Sequence, residues 1–269
     1  MIFRVLRFFA LSLLSVACSA RAAEPLALRD GEKFTYKVSW AFLPGAGEIK
    51  VAVERDPAFN EPRLRVVTTT ATRGVARMIL AFDARSESLF DPVSGRLVSL
   101  REWSQQRDKS NDHTVMFDYV KKQALYTEAG VTQPRTLALP EGNPMDLITQ
   151  LVQTRSWTLQ PGEKRDALVL FNDDFYDLTI HAARREEVKT PLGTFQTIVL
   201  EPRMDRTAPK GMFKRGGSAR VWIAYEDPRR LPVKFEVEFK VGRGVATLTS
   251  YEAPAPGRAM TADAKSSRP

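Results

Sequence analysis

The run Val233-Lys234-Phe235-Glu236-Val237-Glu238-Phe239-Lys240-Val241 alternates apolar and charged residues without a break, then crosses Gly242-Arg243-Gly244 into a second run ending at Tyr251. Successive side chains of an extended chain point to opposite faces. The pattern therefore predicts a hairpin with Val233, Phe235, Val237 and Phe239 on a dry face and the charges on a wet one. Such a sheet must lay its dry face on a second layer or curl around it. The expected fold is mainly β: an antiparallel curved sheet, as a sandwich or an open barrel, with one helix packed against it.

The same period recurs upstream. Phe34, Tyr36, Val38 and Trp40 alternate with polar residues, and Pro44-Gly45-Ala46-Gly47 turns the chain into a second strand carrying Ile49, Val51 and Val53. Residues 63–72 are rich in β-branched side chains, and 86–90, 96–103, 113–120 and 123–127 read as further strands separated by turn sequences. Residues 74–82 carry apolar side chains on no clean period and fit either a helix or a strand. One helix is expected over 143–157, with Asn143 as its cap, Pro144 in its first turn and Leu147, Ile148, Leu151 and Val152 on one face. Strands at 166–172, 175–187, 193–202 and 220–225 precede the final hairpin.

Residues 1–22 have the form of a secretory signal peptide: Arg4 and Arg7, a short apolar run, then the small-x-small triplet Ala20-Arg21-Ala22. The apolar run is shorter than the about 20 residues that span a bilayer, and no other long one exists, so the mature chain has no expected transmembrane helix. In the competing reading the single cysteine, Cys18, is lipidated, but Ser15 stands three residues before it where a Leu would be expected. Three of the 40 basic residues leave with the leader (Arg4, Arg7 and Arg21), so 37 face 32 acidic ones, a net charge of +5. That mild excess favours a lipid, an anionic polysaccharide or an envelope protein as partner and lacks the basic stripe of a nucleic-acid binder. The β-rich domain is expected over 23–251, with a disordered tail over 252–269 whose only large apolar residue is Met260.

Several segments carry a resemblance: Thr190-Pro191-Leu192-Gly193-Thr194-Phe195 leading into Glu201-Pro202, Val221-Trp222-Ile223, Asp227-Pro228-Arg229-Arg230-Leu231-Pro232-Val233, and Phe34-Thr35-Tyr36-Lys37-Val38-Ser39-Trp40. Together with Thr154-Arg155 they resemble the DUF3108 family of exported bacterial proteins. The resemblance implies a periplasmic or envelope location and a β-rich fold. The function of that family is unknown, so the resemblance transfers no active site, and its motifs are turn and strand devices.

No catalytic signature stands out. His113 and His181 are the only imidazoles and sit within strand patterns, with no second ligand at metal spacing, so neither a metal nor another cofactor is expected. No Gly-x-Ser-x-Gly elbow is present. Paired acids could serve a glycan hydrolase, and Asp173 with Asp174, Glu186 with Glu187, or the strand acids Asp83, Glu87 and Asp118 supply candidates. Adjacent strand residues face opposite ways, however, and Asn172-Asp173-Asp174 reads more simply as a turn. Trp40, Trp103, Trp157 and Trp222 read as core residues or, alternatively, as a sugar-stacking platform. The segment 203–220 reads as an exposed mobile loop with six basic residues and one acid, Asp205. Its Arg203, Arg206, Lys210, Lys214 and Arg215 are the candidate ligand-binding residues, for a non-catalytic envelope protein that binds an apolar or anionic component or a protein partner. The alternative is a carboxylate-dependent hydrolase of envelope polysaccharide.

Overall fold

The structure is a computed structural model that describes residues 24–58, 61–214, 216–239 and 242–254. The expected leader and nearly all of the expected tail lie outside the described residues, although Glu252 closes the last strand. The first half contains β1 (Lys33–Trp40), β2 (Leu43–Arg55), β3 (Leu64–Thr72), α1 (Gly74–Ile79), β4 (Phe82–Phe90), β5 (Leu97–Gln106), β6 (Lys109–Asp118), β7 (Gln123–Glu128) and β8 (Arg135–Ala138). The second contains β9 (Met145–Asp146), α2 (Leu147–Gln153), a 3-10 turn (Thr154–Ser156), β10 (Lys164–Phe171), β11 (Asp174–Thr190), β12 (Gly193–Arg203), α3 (Gly211–Lys214), β13 (Ser218–Ala224), β14 (Pro232–Phe239) and β15 (Gly242–Glu252).

All fifteen strands form one sheet, and the order β8 to β1, then β15 to β9, places the first and last strands side by side at its centre. Neighbours are antiparallel except β9 and β10, where Met145 and Asp146 run parallel to Val169 and Leu170. The two outermost strands, β8 and β9, are consecutive in sequence and joined only by residues 139–144, so the sheet bends until its edges approach. Arg135 Nη2 on the edge strand β8 lies 2.8 Å from Asp173 Oδ2 in the turn between β10 and β11, next to the other edge. Ser88 Oγ of β4 donates to Asp146 Oδ2 at 2.7 Å, and Asn143 Nδ2 donates to the Ser94 carbonyl at 3.1 Å. No ladder crosses this seam, and the sheet is not closed into a barrel.

A ring of this many strands is too wide for its own side chains to fill. The segment α2 and its 3-10 continuation occupy the space instead: Thr149, Gln150, Leu151, Val152, Gln153, Thr154 and Arg155 are buried one after another. A helix flanked on a single side would bury only a stripe. The chain before β1 lies against it, with Leu26 and Leu28 in the core, Ala27 N donating to Gln153 Oε1 at 2.7 Å and Gln153 Nε2 donating to the Pro25 carbonyl at 3.0 Å.

The helix is shorter than the sequence predicts. Residues 143–146 are not helical, Asp146 rather than Asn143 is the cap, and its Oδ1 accepts from Thr149 N at 2.9 Å. The ladder to β10 holds Met145 and Asp146 in strand geometry, which leaves the Asn143 amide for Ser94. Residues 74–82 resolve into α1 and the start of β4, so α2 is not the only helix. The segment 203–220 is not one exposed loop either: Arg203 ends β12, residues 211–214 form α3 and Ser218 opens β13.

Antiparallel polarity puts the turns β1–β2, β3–β4, β5–β6, β12–β13 and β14–β15 at one end of the sheet, which we call the Trp40 end. The opposite Lys33 end carries the chain entering β1. At the Trp40 end the indole of Trp40 lies on the β14–β15 hairpin. A Cβ added at Gly244 would come 3.1 Å from the indole, and one at Gly242, where φ is +131°, 3.2 Å. A side chain at either position would crowd the indole, and at Gly242 the positive φ favours glycine as well.

Candidate functional site

Among the described residues, a buried ion pair is built on the end of the buried helix. Arg155 Nη2 donates to Glu32 Oε2 at 2.7 Å and to Oε1 at 2.9 Å, and both side chains are almost wholly shielded from solvent. Tyr251 Oη donates to Glu32 Oε1 at 2.7 Å, and Arg29 N donates to Oε2 at 2.8 Å. The guanidinium also donates to the Ala27 carbonyl and stands 5.6 Å from the centre of the Phe34 ring. A buried charge needs a partner and further hydrogen bonds, and this carboxylate has three kinds of donor. Arg230, at φ +48°, closes the helix end from outside by donating to the Arg155 and Trp157 carbonyls at 2.7 and 2.6 Å. The cluster ties helix, β1 and β15 together.

Burial, then the hydrogen bond to Glu32, pushes the Tyr251 hydroxyl up to about 12, and burial raises Tyr36 and Tyr119 as well. An unfolded tyrosine ionises near about 10. Because the folded value is the higher, the contribution is complete below pH about 10 and is lost as pH rises through 12. We expect denaturant midpoints to fall over that range and Tyr251→Phe to fall less steeply, as followed by tyrosine absorbance and circular dichroism.

Of the five cations named from sequence, the four that are described do not meet in one site. Arg203 Nη2 donates to Glu201 Oε2 at 2.9 Å, and Arg206 pairs with Asp166, at 2.7 Å, and with Asp177. Lys210 Nζ donates to Asp174 Oδ1 at 2.5 Å and to the Phe175 carbonyl at 2.6 Å, and it lies over the Tyr176 ring. These contacts fold the segment down onto β10 and β11. Lys214 is exposed at the Trp40 end, and Arg215 lies outside the described residues. Beside Arg203, a shallow depression of about 250 Å³ is lined by Met204, Phe213 and Ala219 together with Glu201 and Arg220.

Three of the candidate acids, Asp83, Glu87 and Asp118, are held below the ordinary carboxylate range. Arg77 donates to both Asp83 oxygens, at 3.0 and 2.7 Å, and holds that carboxyl below its ordinary range. Arg85, with Arg65 beside it, does the same for Glu87. Asp118 is lowered first by the Lys121 backbone N–H. A general acid needs the opposite shift. Asp173 and Asp174 lie at the β10–β11 hairpin, where Phe171 pairs with Asp174 and Asn172 has φ +54°. Glu186 accepts from Arg184 and Glu187 from Gln196.

His113 is buried and stacked on Tyr126, and His181 Nε2 lies 2.6 Å from Asp205 Oδ2. Among the described residues no group of three or more His, Cys, Asp or Glu side chains could hold a metal ion. Trp157 and Trp222 are core residues, whereas Trp103 is partly exposed on β5.

Sequence reasoning missed two features. One is the Glu32–Arg155–Tyr251 cluster. The other is a set of exposed apolar side chains at the Trp40 end: Phe42, Val75, Met78, Ile79 and Leu80. The signal for the second was present in 74–82, whose apolar residues follow no period.

These features define an open, barrel-like antiparallel sheet with a filled interior and a largely charge-paired surface. The chain belongs to the DUF3108 family, a protein family of unknown function, which it matches over residues 35–249. It is also similar in fold to the crystal structure of a beta-barrel-like protein of the domain of unknown function DUF1849 from Brucella abortus. That likeness has a TM-score of 0.52 at 7% identity and covers 82% of this chain and 96% of that one. A protein of Bacteroides fragilis, described as exported and with a YmcC-like fold, aligns at TM-score 0.34 and 13% identity, over 86% of this chain and 100% of that one. One from Parabacteroides distasonis, described as a lipoprotein, aligns at 0.32 and 11%, over 85% and 99%. The comparison with curated proteins finds no match. No helix among the described residues is long and apolar enough to cross a membrane.

Proposed function

We infer that this is an exported cell-envelope protein that works by binding, through the outside of its sheet, and not by catalysis. The observation that carries this reading is the run of seven consecutive buried residues from Thr149 to Arg155. It occupies the space in which a barrel of this size would hold a ligand, so a partner has to be met at the surface. Export is supported by the leader pattern of residues 1–22. The 203–217 segment presents Lys214 to an anionic envelope component or a protein, while Arg203, Arg206 and Lys210 fix the shape of the segment by pairing with acids.

The test is lysine-directed cross-linking in intact envelopes, followed by mass spectrometry of peptides containing Lys214. A recurrent adduct with one envelope component is the expected result. Turnover of envelope polysaccharide that Glu87→Gln, Asp83→Asn or Asp118→Asn abolishes would replace this reading with a hydrolase. In the absence of catalysis, each of those exposed-pair changes should leave the urea midpoint close to that of the parent, because exposed ion pairs contribute little.

A further inference from the structure

The exposed apolar residues at the Trp40 end form one patch. Phe42, 87% exposed, is the tip of the β1–β2 turn. α1 lies alongside, since Arg73 N donates to the Ala46 carbonyl at 2.8 Å and a Cβ on Gly74 would stand 3.9 Å from the Gly45 carbonyl oxygen. None of the α1 residues is buried, and Met78 is 86% exposed. The helix is nonetheless held at its far end, where Thr72 Oγ1 donates to the Leu80 carbonyl at 2.8 Å and Arg107 Nη2 to the Ile79 carbonyl at 2.7 Å. A supported six-residue helix that turns Val75, Met78 and Ile79 to solvent adds nothing to the core, and a contiguous exposed apolar patch marks an interaction surface.

The surrounding charges indicate the occupant. Glu48 and Asp83 are neutralised by Arg73 and Arg77. Asp108 is the acid of the β5–β6 turn, between Arg107 and Lys109. Arg107 and Lys109 have no carboxylate partner among the described residues, and neither has Lys214, which lies three strand spacings, about 15 Å, from the β1–β2 turn on the side away from them. Apolar tips beside unpaired cations suit the boundary between lipid headgroups and acyl chains.

We propose that the Trp40 end docks on an anionic phospholipid surface, with Phe42, Met78 and Ile79 entering the headgroup boundary and Arg107, Lys109 and Lys214 meeting lipid phosphates. This deepens the envelope-binding reading and rests on it. The test is co-sedimentation of the exported protein with phosphatidylglycerol-containing vesicles and with phosphatidylcholine vesicles. Binding should be several-fold stronger to the anionic vesicles and weaken at high salt.

Phe42→Ser and Met78→Ser should each lose about tenfold in affinity, with circular dichroism unchanged because both sites are exposed. Val120→Ser, at the Lys33 end, should bind as the parent does. Equal binding by the Phe42→Ser/Met78→Ser double variant, or no co-sedimentation at all, overturns the proposal. So does a parent dimer that this double variant disperses, since the patch would then pair with a second copy. If vesicle binding fails while Lys214 still cross-links to one envelope component, only the lipid assignment falls. If both fail, the binding reading falls with it.

Discussion

Arg155→Met should lower the thermal midpoint by about 6 to 20 °C, the largest loss expected of any single polar substitution in this protein. The change leaves Glu32 buried with its principal counter-charge gone, and removing one partner of a buried pair costs about 3 to 5 kcal/mol. For a domain of this size each kcal/mol moves the midpoint by about 2 to 4 °C. The Ala27 carbonyl loses its guanidinium donor as well, and the chain before β1 loses one of its ties to the helix end. Adding Glu32→Gln should recover part of the loss, because a neutral amide can remain beside Tyr251 Oη and Arg29 N where a lone carboxylate cannot. Thermal melts of the two single variants and the double variant decide the matter. A midpoint within about 2 °C of the parent for Arg155→Met would show that water reaches Glu32 and that the cluster does not lock the helix.

Much of the sheet could be read from the chain because one buried face imposes period two. Phe34 and Tyr36 of β1, and Val233 and Phe235 of β14, are buried as the alternation requires. Where both faces are covered the period fades, as in Ala167-Leu168-Val169-Leu170 of β10, buried without interruption. The wet face also departs from the simple expectation. Glu236, placed there by the alternation, is only 5% exposed, because Arg220, Lys234 and Arg243 close over it.

The candidate surface was harder to read for a physical reason. Gly74-Val75-Ala76-Arg77-Met78-Ile79 lines no core, so burial never imposed a period on it. The Glu32–Arg155 pair spans 123 residues, and no local pattern records a contact of that range. The cap at Asp146 was obscured because Asn143 has equal intrinsic capping ability. Pairing of Met145 and Asp146 with β10, a tertiary event, decided between them.

Asp146 also carries the second large prediction, because the edges of the sheet meet through it. Its Oδ1 accepts from Thr149 N to start α2, and its Oδ2 accepts from Ser88 Oγ on the opposite half of the sheet. Asp146→Ala removes a helix cap, worth about 1 kcal/mol, and leaves the buried Ser88 hydroxyl unsatisfied, at about 1 to 3 kcal/mol. A loss of about 2 to 4 kcal/mol in urea titrations is expected, with faster amide exchange at Val169 and Leu170, the residues that face β9. Asp146→Asn keeps one acceptor oxygen and a side chain that caps well, so it should retain most of what Ala loses. If Asn proves as damaging as Ala, the seam needs both carboxylate oxygens of Asp146, and one acceptor does not suffice. Ser88→Ala should cost less than Asp146→Ala, since the cap survives. Equal costs would mean that the contact across the open edge, and not the start of the helix, holds the two halves of the sheet around their core.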